Sequence, residues 1–309
     1  MNSQANTFSG PLESRAISPA ATAAVRPFYW SIRRELWENR YVYLAPVGAA
    51  ALFFLGFLIT LVHLPGKVRG MEMFSPMQYR EAIAGPYDIM SGAMMLVGML
   101  VSIFYCLDAL YGERRDRSIL FWKSLPISDR TTVLAKATIP FVIVPLLTFV
   151  TGIATHFLML VASSLVLLAN GLNASELWTS ISYFRMSWLL LYHLLTAHTL
   201  WPAPWYAWLL FVSARVRRAP FLWAVLPPVA LAALEKITFH TSHLGNLFAE
   251  RFIGSVATDS HPPELFPTNP MFHIHAGEYF GSPGFWIGIA IAAAFLVAAV
   301  RLRRYQAPI

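Results

Sequence analysis

The residues best placed to do chemistry form one compact island between two long apolar stretches. It reads Gly112-Glu113-Arg114-Arg115-Asp116-Arg117-Ser118-Ile119-Leu120-Phe121-Trp122-Lys123-Ser124-Leu125-Pro126. Its cations and carboxylates offer charge-assisted hydrogen bonds, and Phe121 and Trp122 are aromatic anchors of the kind that dominate interfaces. The chemistry this implies is docking. Its candidate contacts are Glu113, Arg114, Arg115, Asp116, Arg117, Phe121, Trp122, Lys123 and Leu125. The competing reading is a solvated basic loop, which does not account for aromatic residues flanking the charges.

Other reactive side chains are less ordered. His240, His243, His261, His273 and His275 gather in one polar segment. A zinc site needs three or four converging ligands with supporting groups behind them, and neither His240/His243 nor His273/His275 has a zinc-motif spacing. Ionisable residues within or beside apolar segments are functional candidates by default. They are Asp88, Asp108, Glu235, Lys236, His156, His193 and His198. The last two flank a proline-rich break, Trp201-Pro202-Ala203-Pro204-Trp205. His193, His198, Trp201, Pro202 and Pro204 are therefore candidate linings of a polar path, against an equal case for a packing kink. No Gly-x-x-x-x-Gly-Lys-Ser/Thr loop, Gly-x-Ser-x-Gly elbow or His-Glu-x-x-His pair occurs. We therefore expect no catalytic set, cofactor site or metal site in this chain.

The elements that must position these residues belong to a membrane. Of 309 residues, 57% are hydrophobic and 13% charged, about half the charge of a typical soluble domain. Runs of about 20 apolar residues cross a bilayer as helices. Six are expected, near Tyr43–Leu64, Asp88–Tyr111, Thr138–Leu168, Met186–Val212, Phe221–Ile237 and Phe285–Leu302. The third is longer than a bilayer needs, so it must tilt, kink at Pro140 or Pro145, or project into water. The fifth is interrupted by Pro227-Pro228. The fold class is thus an all-α polytopic membrane protein, with residues 27–304 as one six-span domain.

Basic residues set the orientation. With the N-terminus inside, 17 of the 23 Lys and Arg fall in cytoplasmic pieces. Only Lys67, Arg69, Arg80, Arg185, Lys236 and Arg251 fall outside. Both termini are then cytoplasmic, and the net charge of +7 needs no nucleic acid partner. Residues 1–26, rich in Ser, Ala, Asn and Thr, read as a disordered cytoplasmic tail, and 305–309 as a short second one.

Smaller signals punctuate this frame. Pro27 to Arg40 reads as an amphipathic helix in the cytoplasmic interface, with Phe28, Ile32 and Leu36 on one face and Arg33, Arg34, Glu35 and Glu38 opposite. In the island, Leu125-Pro126 ends a short helix. Ser128 then caps the next, with Asp129 in its first turn. Ser213 to Arg218 is a tight basic turn. Leu244, Leu247, Phe248 and Phe252 recur at helical spacing in the outer segment.

This combination resembles a type-2 ABC transporter permease, the exporter-class membrane subunit. The most specific match is Gly112 to Asp129 followed by Thr132-Val-Leu-Ala-Lys136, which is similar to the cytoplasmic loop of a bacterial branch of these permeases. Trp208 to Ala214 and Arg218 to Pro228 look similar to the same branch. The resemblance spans about Pro27 to Arg304. It implies that the helix around Arg114 to Ser124 is a coupling helix for a separate ATP-binding subunit, which would hold ATP and Mg²⁺. It also implies pairing with a second permease copy or paralogue, and a place in the bacterial cytoplasmic membrane. A Glu-Ala-Ala importer loop is missing. The rival readings are a non-transporting scaffold or sensor docking a partner through the same loop, and a membrane-embedded enzyme using the outer histidines.

Overall fold

The structure is a computed structural model, and it describes residues 27–70, 76–124, 127–253 and 280–305. All regular structure among them is helical. In chain order it contains α1 (Pro27–Glu38), α2 (Tyr41–Leu61), α3 (Leu64–Gly70), α4 (Pro76–Ala109), α5 (Tyr111–Arg115), α6 (Ile119–Ser124) and α7 (Asp129–Thr138). A π-helical turn, Ile139–Ile143, leads into α8 (Val144–Ala169), followed by α9 (Ser175–Ser180) and α10 (Tyr183–Leu195). A second π-helical turn, Thr196–Leu200, precedes α11 (Ala203–Arg215), α12 (Pro220–Phe239), α13 (His243–Ile253) and α14 (Pro283–Tyr305).

Five helical stretches are long and apolar enough to cross a membrane: Tyr41–Leu61, Ile83–Arg115, Asp129–Ala169, Pro220–Phe239 and Pro283–Tyr305. This is the architecture of a multi-pass membrane protein. The expected span at Met186–Val212 is not one continuous helix. Pro202 cannot donate a backbone hydrogen bond, and the chain divides into α10 and α11, 13 residues each. The π turn closes the gap, with Trp201 N donating to the Thr196 carbonyl at 2.9 Å.

The long third span resolves in two of the ways its length allows. Its 41 residues would extend ~60 Å as a straight helix, twice the ~30 Å hydrocarbon core. The π turn at Ile139–Ile143 accommodates Pro140, and α7 extends the rod as a separate N-terminal stretch. Ser128 Oγ caps α7 by accepting from Thr131 N at 3.1 Å. At the far end, Gly171 adopts φ 73°. Leu172 N reaches the Leu167 carbonyl and Gly171 N the Leu168 carbonyl, which is the paired-bond stop that a left-handed glycine permits.

The fifth span was expected to be interrupted at Pro227-Pro228, yet α12 runs through both residues. Pro228 withholds a proton from the Ala224 carbonyl one turn back. Trp208 Nε1 on α11 supplies one at 3.0 Å, so the lost backbone bond is replaced by a side chain from a neighbouring helix.

Packing follows small residues. α11 pairs most extensively with α14, and Ala203 and Ala207 meet Ala292 in one buried cluster. Gly288 and Ala292 stand four apart on α14, and such spacings let helices approach closely where no hydrophobic effect drives association. One core joins α2, α4, α8 and α9 around Met90, Met159 and Leu160. Another joins α2, α4, α7 and α11 around Val42, Tyr105 and Leu210.

Candidate functional site

The island is carried by two short helices, α5 and α6, and the break between them is not at the expected place. After α5, Arg117 adopts φ 56°, a left-handed conformation that costs a side-chain-bearing residue roughly 1–2 kcal/mol. The helix expected to run around Arg114 to Ser124 is therefore divided at residues 116–118, and α6 begins at Ile119. Leu125 and Pro126 lie outside the described residues.

α6 is pinned by one side and open on the other. Ile119 is buried at 1% exposure, whereas Leu120 and Phe121 are 58% and 60% exposed. Arg115, Asp116, Arg117 and Lys123 are exposed. Arg115 Nε donates to Asp116 Oδ1 at 2.9 Å; surface pairs of this sort contribute about 0–1 kcal/mol. Trp122 is half-buried, edge-on to Phe121 with ring centres 4.9 Å apart. The Arg34 guanidinium lies 3.9 Å from its ring centre, so Trp122 fastens α6 to α1.

Two of the expected contact residues are not on this surface. Glu113 and Arg114 are 7% and 4% exposed, which corrects the expectation that they face a partner. Arg114 donates to the Val216 carbonyl and to the Ser213 carbonyl at 3.5 Å. It thereby holds the end of α11, where unpaired helix carbonyls favour a cation. Leu110 N adds a bond to Ser213 Oγ at 3.3 Å. The island is thus tied to the turn at residues 216–219.

Glu113 enters a buried cluster that the sequence did not reveal. Its carboxylate accepts from Arg34 Nη2 at 2.9 Å and from Arg303 Nη1, and lies 3.1 Å from Lys136 Nζ. Lys136 Nζ also donates to both oxygens of Glu35, at 2.8 and 3.0 Å. Tyr105 Oη donates to Glu35 Oε2 at 2.8 Å, and Arg34 Nη2 reaches Glu35 Oε1 at 2.5 Å. Arg303 Nε lies 3.3 Å from Asp129 Oδ1. Three cations meet three carboxylates, contributed by α1, α5, α7 and α14.

Removing a charge from water costs several kcal/mol, which a buried pair recovers only with good geometry and additional hydrogen bonds. Glu35 is 1% exposed and Lys136 is 2% exposed, so the requirement applies in full. It is met because each glutamate accepts from more than one donor. Burial alone would push the Glu35 carboxyl up. The Lys136 ammonium and the Arg34 guanidinium outweigh this and hold it below the ordinary carboxylate range.

The cluster also changes the reading of α1. The helix forms over the expected residues, but Ser31 and Glu35 are its buried positions. The face expected to be polar and solvated partly turns inward. Phe28, Tyr29, Trp30 and Trp37 are exposed, with Arg33 over the Trp30 and Trp37 rings at 5.1 and 4.7 Å.

Of the candidate path residues, Pro204 alone lines one of three cavities formed by the described residues. His193 and His198 are half-buried. His193 Nδ1 lies 2.8 Å from the Leu189 carbonyl, which can only accept, so this nitrogen carries the proton. The His198 carbonyl accepts from Tyr206 Oη at 3.1 Å. Pro204 lines a cavity of about 360 Å³ with Trp205, Trp208, Pro228 and Arg251. His193, His198, Trp201 and Pro202 line neither this cavity nor two larger ones of about 660 and 780 Å³. His156 is fully buried between α4 and α8, with Nε2 at 3.1 Å from both Ser91 Oγ and the Tyr87 carbonyl. His240 and His243 are exposed, and His261, His273 and His275 lie outside the described residues. The expected outer helix is α13, and Glu235 holds its start by accepting from His243 N and Leu244 N at 2.8 and 2.7 Å.

The island thus presents an exposed apolar and cationic ledge on a base of buried ion pairs. Comparison with known protein families, curated proteins and solved structures finds no match.

Proposed function

We propose that this chain is the membrane-spanning permease subunit of an ATP-driven ABC transporter of the type-2, exporter class. The observation that carries the reading is the ledge itself. Leu120, Phe121, Arg115, Arg117 and Lys123 face outward, while Glu113, Arg114, Ile119 and Trp122 bind the same segment to α1, α7, α14 and the 216–219 turn. A ledge so anchored passes force from a soluble partner into several helices at once, as rigid-body switching requires. A solvated loop has no use for that anchoring.

In this reading α10, the π turn and α11 together make a sixth crossing, and both termini lie on the cytoplasmic side of a bacterial inner membrane. Two such subunits, identical or paralogous, form the path. ATP and Mg²⁺ belong to a separate ATP-binding subunit, and this chain performs no catalysis. His193, His198, Trp201, Pro202 and Pro204 remain candidates for path lining at the break.

The test is co-purification with the candidate ATP-binding subunit. Arg115→Glu/Arg117→Glu and Phe121→Ala alter exposed side chains, so they are expected to release the partner without unfolding the permease. Arg114→Glu strikes the buried base and serves as the contrast, losing folded protein as well. Absence of association in the wild type refutes the proposal. Retention of a cytoplasmic partner lacking ATPase activity would favour the scaffold or sensor reading.

A further inference from the structure

The cavity of about 660 Å³ between α2, α4 and α8 has a shape and charge distribution that the docking ledge does not use. Its walls are apolar side chains of α2 from Leu52 to Leu61 and of α4 from Ile83 to Met94. From Ile83 to Met94 is ~17 Å at 1.5 Å per residue, close to the ~15 Å depth of one hydrocarbon leaflet. Leu52 and Ile89 in its lining are 73% and 60% exposed, so it opens as a groove on the outside of the bundle. Its polar features lie towards one end. Lys67 on α3 lines it and is exposed, and Tyr87, whose hydroxyl is 3.4 Å from Ser163 Oγ, stands one turn of α4 beyond Ile83.

We propose that this groove binds an anionic phospholipid of the surrounding bilayer. One acyl chain lies along the apolar walls for the depth of its leaflet. The phosphate-bearing headgroup meets Lys67, which pairs with no carboxylate among the described residues. Neighbouring Arg69 is already engaged, donating to the Asn170 carbonyl at 3.2 Å. If Ser163 donates to Tyr87, the phenol proton is available to an ester carbonyl at the depth where one occurs below a headgroup. A purely apolar occupant would make no use of Lys67, and a soluble anion would leave the walls unfilled. The site is independent of whether the chain transports anything.

Gly56 provides a clean obstruction. It lines the groove, and a Cβ built there meets nothing within 4 Å. A side chain can therefore start from this position into the groove without a clash at Cβ, and leucine favours the helix over glycine. The experiment titrates the delipidated full chain in neutral detergent with phosphatidylglycerol or with phosphatidylcholine of identical acyl chains. Bound lipid is read by native mass spectrometry. The wild type is expected to prefer phosphatidylglycerol by about fivefold, the effect of one basic residue at an anionic surface. Lys67→Gln abolishes the preference and Lys67→Arg keeps it, while Gly56→Leu lowers binding of both lipids several-fold. Equal affinity for the two lipids in the wild type, or undiminished binding in Gly56→Leu, overturns the proposal.

Discussion

Replacing Lys136 by Met tests the charge cluster most directly, because methionine keeps the length of the side chain and removes only its charge and donors. Lys136 Nζ lies 2.8 and 3.0 Å from the Glu35 oxygens and 3.1 Å from Glu113 Oε1. Without it, two cations face three carboxylates, and Glu35 retains only Arg34 and Tyr105 as donors. Breaking a buried pair on one side costs about 3–5 kcal/mol. Arg34 still neutralises part of the excess and is 15% exposed, which places the expected loss near the lower limit, about 3 kcal/mol. Glu35→Gln alone should cost about 2 kcal/mol, since the amide oxygen still accepts from Tyr105. The double variant restores two cations against two carboxylates. Its loss should fall short of the sum by about 1–3 kcal/mol, the coupling typical of residues in one network. The assay is equilibrium unfolding of the detergent-solubilised chain, followed by helical circular dichroism during dodecyl sulfate titration. A Lys136→Met loss below about 1 kcal/mol, or strict additivity in the double variant, would refute the argument that these charges stabilise one another.

Acid should expose the same cluster. The folded-state value of Glu35 lies below its ordinary 4.5, so its contribution is complete above pH 4.5 and is lost as pH falls through the lowered value. Melting profiles should therefore be level above that point and decline below it. Glu35→Gln should decline less steeply. At the α12 proline pair, Trp208→Phe leaves the Ala224 carbonyl without its donor and should cost about 1–3 kcal/mol. In a Pro228→Ala background the backbone supplies that donor, and the cost of Trp208→Phe in the same unfolding assay should fall by half or more.

Much of the architecture was legible in short stretches of chain. The apolar runs marked α2, α4, α8, α12 and α14 because each must satisfy its own backbone in lipid. Ser128 and Asp129 marked the start of α7, and Pro202 marked the break between α10 and α11, because caps and prolines act within one turn. The same local logic failed at Pro227-Pro228. The donor that rescues α12 is an indole 16 positions away from the carbonyl it serves, and nothing in the local pattern of α12 announces it. It also placed Glu113 and Arg114 with their exposed neighbours, since six adjacent polar residues look alike until a surface passes between them.

Composition and hydropathy alone thus marked apolar helices able to cross a membrane, roughly where five of them lie, and residues 112–126 as a charged interruption. Only tertiary structure decided which of those charges are available. Glu113 and Arg303 are 190 positions apart, and Glu35 and Lys136 are 101. Their pairing exists because α1, α5, α7 and α14 meet at one end of the bundle. A helix boundary is a property of neighbouring residues. A buried charge is tolerated only where distant segments converge to neutralise it.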